Sequence, residues 1–438
     1  MKDILRSSND LDRRRFIARA AQAFLGVGLL PVTGASLTGT AHAVPGLGTS
    51  NLKQVATAKS VIYLYMSGGM SHLDTLDVKP GAETQGPVKP INTSADGVQV
   101  SEYMPKLAQQ MKHVAIINSL STTTGAHEQA NYLMHTSYTL RGTIKHPCMG
   151  AWMNVFQGQD GSTTLPNSVY IGGDSRHPGA GFFDAKYSPL MMGNPEGGMQ
   201  NVKRRADTTA DQFNERMGLT AQLDSEFRNN YPLRSVKAYT TMYENALTLM
   251  KSEDLEAFDI AKEDQTTRDL YGKTPFGQGC LLARRLVERG VRFVEVSLGG
   301  WDTHVGNFIN MPQNCLNLDT ALGALIGDLQ KRGLLESTLV VLTTEFGRTP
   351  KINQNVGRDH YPIAFSGLLA GGGVKGGLRF GKTDELGEKV VEDKVSIPDF
   401  NATIAYALGL PLNQVIYSPT KRPFTVADKG QPVTSLFA

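Results

Sequence analysis

Three short polar clusters hold the residues best suited to chemistry: Gly299-Gly300-Trp301-Asp302-Thr303-His304, Thr344-Glu345-Phe346-Gly347-Arg348-Thr349-Pro350 and Gly357-Arg358-Asp359-His360-Tyr361-Pro362. Carboxylates and imidazoles side by side on loops offer the mixed oxygen and nitrogen donors that suit Zn²⁺ or Mn²⁺, with Ca²⁺ or Mg²⁺ as alternatives. Asp302, His304, Glu345, Asp359 and His360 are therefore the candidate metal ligands. One Asp-His pair alone reads more simply as a surface loop or a structural pair. Three such clusters following successive strands favour a metal, because ligands of open parallel sheets gather at the carboxyl ends of the strands.

A second constellation is Ser119-Leu120-Ser121-Thr122-Thr123-Thr124-Gly125-Ala126-His127. A hydroxyl between a strand and a helix can act as a nucleophile whose alkoxide a metal stabilises. Thr123 is the candidate, although Ser/Thr runs ahead of a helix serve more often as caps. Arg348 and Arg358 are candidate binders of an anionic substrate, since guanidinium forks match phosphate oxygens, and either can equally be a structural ion-pair residue. His72 and Asp74 can join a site, whereas His135 and His146 read better as structural histidines.

The elements that must position these residues follow a strand-then-helix rhythm. Ser60 to Met66 reads as a buried strand, followed by a helix over 103–111, a strand over 114–118 and a helix over 128–140. The rhythm returns with a helix up to Arg289 stopped by Gly290, a strand over 291–298, a helix over 316–332 stopped by Gly333, and a strand over 339–343. Such alternation predicts an α/β/α sandwich around a mostly parallel sheet. Residues 174–273 break the rhythm with polar, helix-forming segments and read as a helical insertion. The glycines at 371–373 and 376–377 mark turns, because they form neither a dinucleotide nor a phosphate-loop pattern.

At the N-terminus, Arg13-Arg14-Arg15-Phe16-Ile17 precedes a mildly apolar stretch over 20–32 and a small-x-small cleavage pattern at Ala41-His42-Ala43. This is a twin-arginine signal, with Arg13 and Arg14 as the pair. The apolar stretch is far shorter than the roughly 20 residues a membrane span needs. The expected divisions are a signal peptide over 1–43 and a single α/β domain over 44–438, periplasmic or secreted after passage through the twin-arginine translocase. That route carries proteins folded beforehand, often with a metal inserted.

The leader holds six of the 44 Lys/Arg and three of the 41 Asp/Glu, so 38 of each remain and the mature chain is formally neutral. Neutrality argues against a nucleic-acid or membrane-surface partner. Three cysteines, Cys148, Cys280 and Cys315, cannot build a disulfide framework, which leaves one pair or buried thiols.

The motifs quoted, together with Gly68-Gly69-Met70-Ser71-His72-Leu73-Asp74 and the twin-arginine leader, resemble the family called domain of unknown function 1501. The resemblance spans nearly the whole mature chain. It implies kinship with the alkaline phosphatase and sulfatase superfamily, an α/β/α fold and ester hydrolysis at a two-metal centre. It gives Asp302 and His304 the role of ligands to one metal, and Thr123 with His127 a Thr-x-x-x-His pattern that implies a catalytic pair. Two positions depart from the superfamily. Phe346 follows Glu345 where a His follows Asp, and Asn401 stands where many relatives have a His ahead of Ala-Thr-Ile. The sulfatase Cys-x-Pro-x-Arg motif is not met at Cys148, so sulfate esters rank below phosphate-type esters as substrates. The expected function is hydrolysis of a small anionic or envelope-polymer ester. The alternative is a non-catalytic envelope binding or assembly protein with a partner protein, and no flavin, haem or molybdopterin signature supports an oxidoreductase.

Overall fold

The structure is a computed structural model and describes residues 56–158, 164–173, 176–199, 202, 207–231 and 233–438. The segment expected to be a twin-arginine leader, with Arg13, Arg14, Ala41 and Ala43, lies outside the described residues.

Among the described residues nine strands form the main sheet: β1 (Ser60–Met66), β2 (Val114–Ser121), β3 (Ser168–Ile171), β4 (Leu190–Met192), β5 (Phe293–Leu298), β6 (Thr338–Thr343), β7 (Phe365–Ala370), β8 (Leu378–Phe380) and β9 (Val395–Ser396). Their order is β8-β2-β7-β6-β1-β5-β3-β4, with β9 also paired to β2. Only β7 runs antiparallel to its neighbours, so the sheet is mostly parallel.

Alternation along β1 shows why helices cover both faces. Ile62, Leu64 and Met66 enter one core together with Leu107, Leu281 and Leu322. Val61, Tyr63 and Tyr65 enter the other with Leu133, Trp152 and Ile404. Every residue of β1 is buried, which is what a continuous apolar run means in a parallel sheet. The helices are α1 (Pro105–Gln110), α2 (His127–Thr136), α3 (Met149–Gln157), α4 (Ala210–Asn230), α5 (Arg234–Met250), α6 (Gln265–Leu270), α7 (Pro275–Glu288), α8 (Asn307–Lys331) and α9 (Ile397–Ala407). Of these, α1, α7 and α8 line the first face, and α2, α3 and α9 the second.

Local chemistry sets the ends of these helices. Thr274 caps α7 by accepting the Gly277 N–H, with Pro275 in its first turn. Ser396 and Asp399 form a capping box on α9. Helix α8 begins nine residues before the expected start and runs through Pro312, which at its sixth position removes one i→i−4 hydrogen bond without ending the helix. Residues 174–273 are not wholly helical: Leu190–Met192 adds a strand to the sheet edge, beside α4 to α6.

Among the described residues no helix is long and apolar enough to cross a membrane. All three cysteines are buried free thiols.

Candidate metal centre

β6, β1 and β5 are neighbours in the sheet, and their carboxyl ends deliver Glu345, the turn at Gly68 and Gly69, and Asp302 to one place. Glycine is required in that turn. Gly68 has φ +119°, and a Cβ there would lie 2.6 Å from the Asp302 nitrogen; Gly69 has φ +83°, and its Cβ would lie 2.7 Å from the Phe346 ring. The loop after β2 brings in His127 at the first position of α2. A two-residue antiparallel ladder pairs Arg348 with His360 and so fixes the last histidine.

The orientation of each imidazole follows from what its far nitrogen touches. His360 Nδ1 lies 2.7 Å from the Gly125 carbonyl oxygen, His304 Nδ1 lies 2.7 Å from Asp359 Oδ1, and His127 Nδ1 lies 2.9 Å from Glu345 Oε1. A carbonyl or carboxylate oxygen only accepts, so each Nδ1 carries a hydrogen, and Nε2 is the atom each ring turns toward Asp302. Those Nε2 atoms converge. His304 Nε2 and His360 Nε2 stand 2.9 Å apart, and 3.1 and 3.2 Å from Asp302 Oδ1. His127 Nε2 is 3.3 Å from Asp302 Oδ2 and has no hydrogen-bond partner.

Four such atoms facing one another repel unless a proton or a cation lies among them. Tetrahedral ligands about a zinc ion at about 2.0–2.1 Å stand roughly 3.3 Å apart, against 2.9 to 3.3 Å for the contacts here. His127, Asp302 and His360 present donor atoms within 4.8 Å of one another, and His304 joins them through its two short contacts. Three imidazoles and a carboxylate, each imidazole backed by an acceptor, therefore fit a divalent transition metal.

The electrostatics agree. Burial opposes the charge of Asp302, but the Arg348 guanidinium and the histidines outweigh it and hold the carboxyl down to about 2. The hydrogen bond that His127 donates to Glu345 raises the pKa of His127, while burial lowers that of His360. Glu345 is buried yet held below the ordinary value, chiefly by its hydrogen bond with His127 acting against desolvation.

The expected ligands thus divide by position. Asp302, His304 and His360 face the convergence point directly, and His127, expected as catalytic, joins them. Glu345 and Asp359 stand one layer back. Glu345 accepts from the Gly68 N–H at 2.8 Å and from the Tyr65 hydroxyl at 3.1 Å, and Asp359 takes the Asn353 amide at 3.1 Å as well as His304. Thr123 is exposed on the loop before His127, and no hydrogen bond joins it to the cluster among the described residues.

Substrate binding by Arg348 and Arg358 is corrected by their burial, since neither side chain reaches solvent. Arg348 donates to the Gly69 carbonyl at 2.9 Å and the Arg358 carbonyl at 3.1 Å, and also to the Gly68 carbonyl and Asp302. Arg358 forms a fork on Asp74, at 2.8 and 3.0 Å, and spends its remaining donors on backbone carbonyls of Thr349, Pro350 and Thr84. Asn401, where a ligand was expected in relatives, holds the end of α2 through the Met134 carbonyl at 2.8 Å and Ser137 at 2.9 Å. The Phe346 ring lies 4.9 Å from that of His127 and 4.7 Å from that of His360, and fixes both.

A second buried group escaped the sequence reading. Glu295, in the middle of β5, receives His135 Nε2 at 2.8 Å and His177 Nε2 at 3.2 Å. The same bookkeeping gives this triad a different nature. His177 Nδ1 accepts the Gly179 N–H at 3.1 Å, so its Nε2 carries hydrogen and donates to Glu295; His135 lies against the Asn131 carbonyl at 2.8 Å through Nδ1 and against Glu295 through Nε2. The signal was available as a lone Glu inside the apolar run Val294-Glu295-Val296.

Burial alone would raise the Glu295 carboxyl, yet His135 and then His177 hold it down to about 2. The stability this contributes is present above about pH 4.3, the ordinary carboxyl value, and is lost as the pH falls toward 2. Glu295→Gln should cost on the order of 3 kcal/mol at neutral pH. In urea melts the gap to wild type should close between about pH 4 and pH 2, and a gap independent of pH would contradict the ion-pair assignment.

Fold and site together define an α/β/α protein with a cluster of three histidines and one aspartate at its strand ends, a candidate metal centre. The chain belongs to the family described as protein of unknown function (DUF1501), which matches residues 58–437. No curated protein sequence matches it. Among solved structures it is similar to the lipoteichoic acid synthase LtaP from Listeria monocytogenes, at 10% identity and TM-score 0.38, over 82% of this chain and 74% of that one. It is also similar to the PsFucS1 sulfatase from Pseudoalteromonas sp., at 12% identity and TM-score 0.39, over 85% and 73%. A third is a protein in the alkaline phosphatase superfamily from Vibrio parahaemolyticus, at 11% identity and TM-score 0.37, over 87% and 72%.

Proposed function

We propose that this chain is an exported, metal-dependent hydrolase of phosphate-type esters, with sulfate esters the lesser class. The observation that carries the reading is the convergence of three imidazole Nε2 atoms on Asp302 at 3.1 to 3.3 Å. Access supports it too, because the side chains of Asp302 and His304 are 47% and 41% exposed, so a substrate can reach the centre from solvent.

A divalent ion held there supplies polarisation of an ester oxygen and a bound water acidic enough to attack near neutral pH. The chain supplies the frame. Glu345, Asp359 and the Gly125 carbonyl orient the three rings, Arg348 steadies Asp302, and Phe346 keeps His127 and His360 from turning. Thr123, exposed beside His127, is the hydroxyl available as an alternative nucleophile.

The test is turnover of a panel of aryl phosphomonoesters, phosphodiesters and sulfate esters by the mature protein loaded with zinc or manganese. Hydrolysis of a phosphate-type ester that disappears in Asp302→Ala is the expected result. Thr123→Ala should cost more than about a hundredfold in kcat if the threonine attacks, and little if water does. A metal-loaded protein inert on the whole panel would favour the envelope binding or assembly alternative. Export has its own test: Arg13→Lys/Arg14→Lys should leave the protein unprocessed in the cytoplasm, and processing undiminished by that change would refute the twin-arginine route.

A further inference from the structure

The resemblance to two-metal esterases implies a second cation, and the residues present do not provide for one as a metal. Both oxygens of Glu345 are already used: Oε1 accepts from the Gly68 N–H at 2.8 Å and His127 at 2.9 Å, and Oε2 from the Tyr65 hydroxyl at 3.1 Å. Its neighbour Phe346 puts an aromatic ring, with no donor atom, against His127 and His360. What does meet Asp302 on its Oδ1 is a fully buried guanidinium, Arg348, whose other donors are taken by the carbonyls of Gly68, Gly69 and Arg358.

Charge gives the same answer. Asp302, Glu345 and Asp359 bring three negative charges, Arg348 returns one, and a single divalent ion balances the rest. A second divalent ion would add two uncompensated charges beside a buried arginine, which is costly where the surroundings are poorly solvated. Nor does the other candidate group, His135, His177 and Glu295, offer a place, because the His177 Nε2 carries hydrogen.

We infer that this chain holds one divalent ion, and that the Arg348 guanidinium takes the place of the second cation. The inference rests on the metal reading of the same centre. It makes the centre neutral when loaded, with a fixed organic cation sharing Asp302 with the metal. It also explains why Arg348 is buried rather than turned toward solvent, since its four acceptors, Asp302 Oδ1 and three carbonyl oxygens, form an oxygen-lined socket.

The experiment is a calorimetric titration of chelator-stripped mature protein with zinc, and separately with manganese, checked by elemental analysis after gel filtration. One equivalent per chain is expected for wild type and for Arg348→Lys, which keeps the charge. In Arg348→Ser the four oxygens lose their partner, so millimolar calcium, which favours oxygen ligands, should enter as an additional equivalent. Two equivalents in wild type would overturn the inference and leave the metal reading standing. No equivalent at all would overturn both. A folded Arg348→Ser protein that takes up no additional ion would also overturn the role given to Arg348.

Discussion

An Asp302→Ala/His360→Ala protein should retain its fold and lose its metal. The two residues contribute two of the four converging donors, and both sit on partly exposed loops outside the two hydrophobic cores. Structural zinc sites bind with about 10–16 kcal/mol spread over four ligands, so each ligand contributes roughly 3 kcal/mol. Losing two should weaken binding by about four orders of magnitude. Elemental analysis of the variant beside wild type, both purified without chelators, measures this, with circular dichroism to confirm the fold. Metal retained at the wild-type level in a folded variant would mean that the converging histidines are not the binding site.

Replacing Arg358 should damage stability rather than substrate affinity. Its guanidinium and the Asp74 carboxylate are both fully buried and joined in a fork, with Asn307 on Asp74 at 2.9 Å. Removing one member of a buried pair leaves an uncompensated charge and typically costs 3–5 kcal/mol. Arg358→Met should therefore lower the urea midpoint sharply, while Arg358→Met/Asp74→Leu should recover much of the loss. A variant of wild-type stability whose only defect is a raised KM would restore the substrate-binding role and contradict the structural one.

The contrast between these residues shows what the sequence could disclose. Asp302, His304 and His360 were legible because a strand followed by a polar cluster has one obvious place in a parallel sheet. That ligands gather there is a rule of topology, and the β1, β5 and β6 runs are apolar enough to be read as strands. Which carboxylate faces the convergence point and which stands behind a histidine was not legible. It depends on side-chain reach across elements far apart in sequence, as when Glu345 of one strand end meets His127 of another.

Burial of the arginines was hidden for a related reason. The segment from 347 to 361 folds back on itself, pairing Arg348 with His360, and a polar motif thereby turns its cations inward. Five sheet members, β3, β4, β7, β8 and β9, were not read as strands, and two of them show why. β7, Phe-Ser-Gly-Leu-Leu-Ala, carries a glycine, and β4 is only three residues long, so neither shows a periodicity that stands out from loop. Phe346 looked like a defect in a metal site, and in three dimensions it is the surface against which two imidazoles rest.

The most direct test of the account is the X-ray absorption fine structure of the mature protein loaded with one equivalent of zinc. Three imidazole nitrogens and carboxylate oxygen in the first shell at about 2.0–2.2 Å, with outer-shell scattering from three rings, is the predicted spectrum. An all-oxygen first shell, or one with a single imidazole, would contradict the assignment of His127, His304 and His360 to the metal.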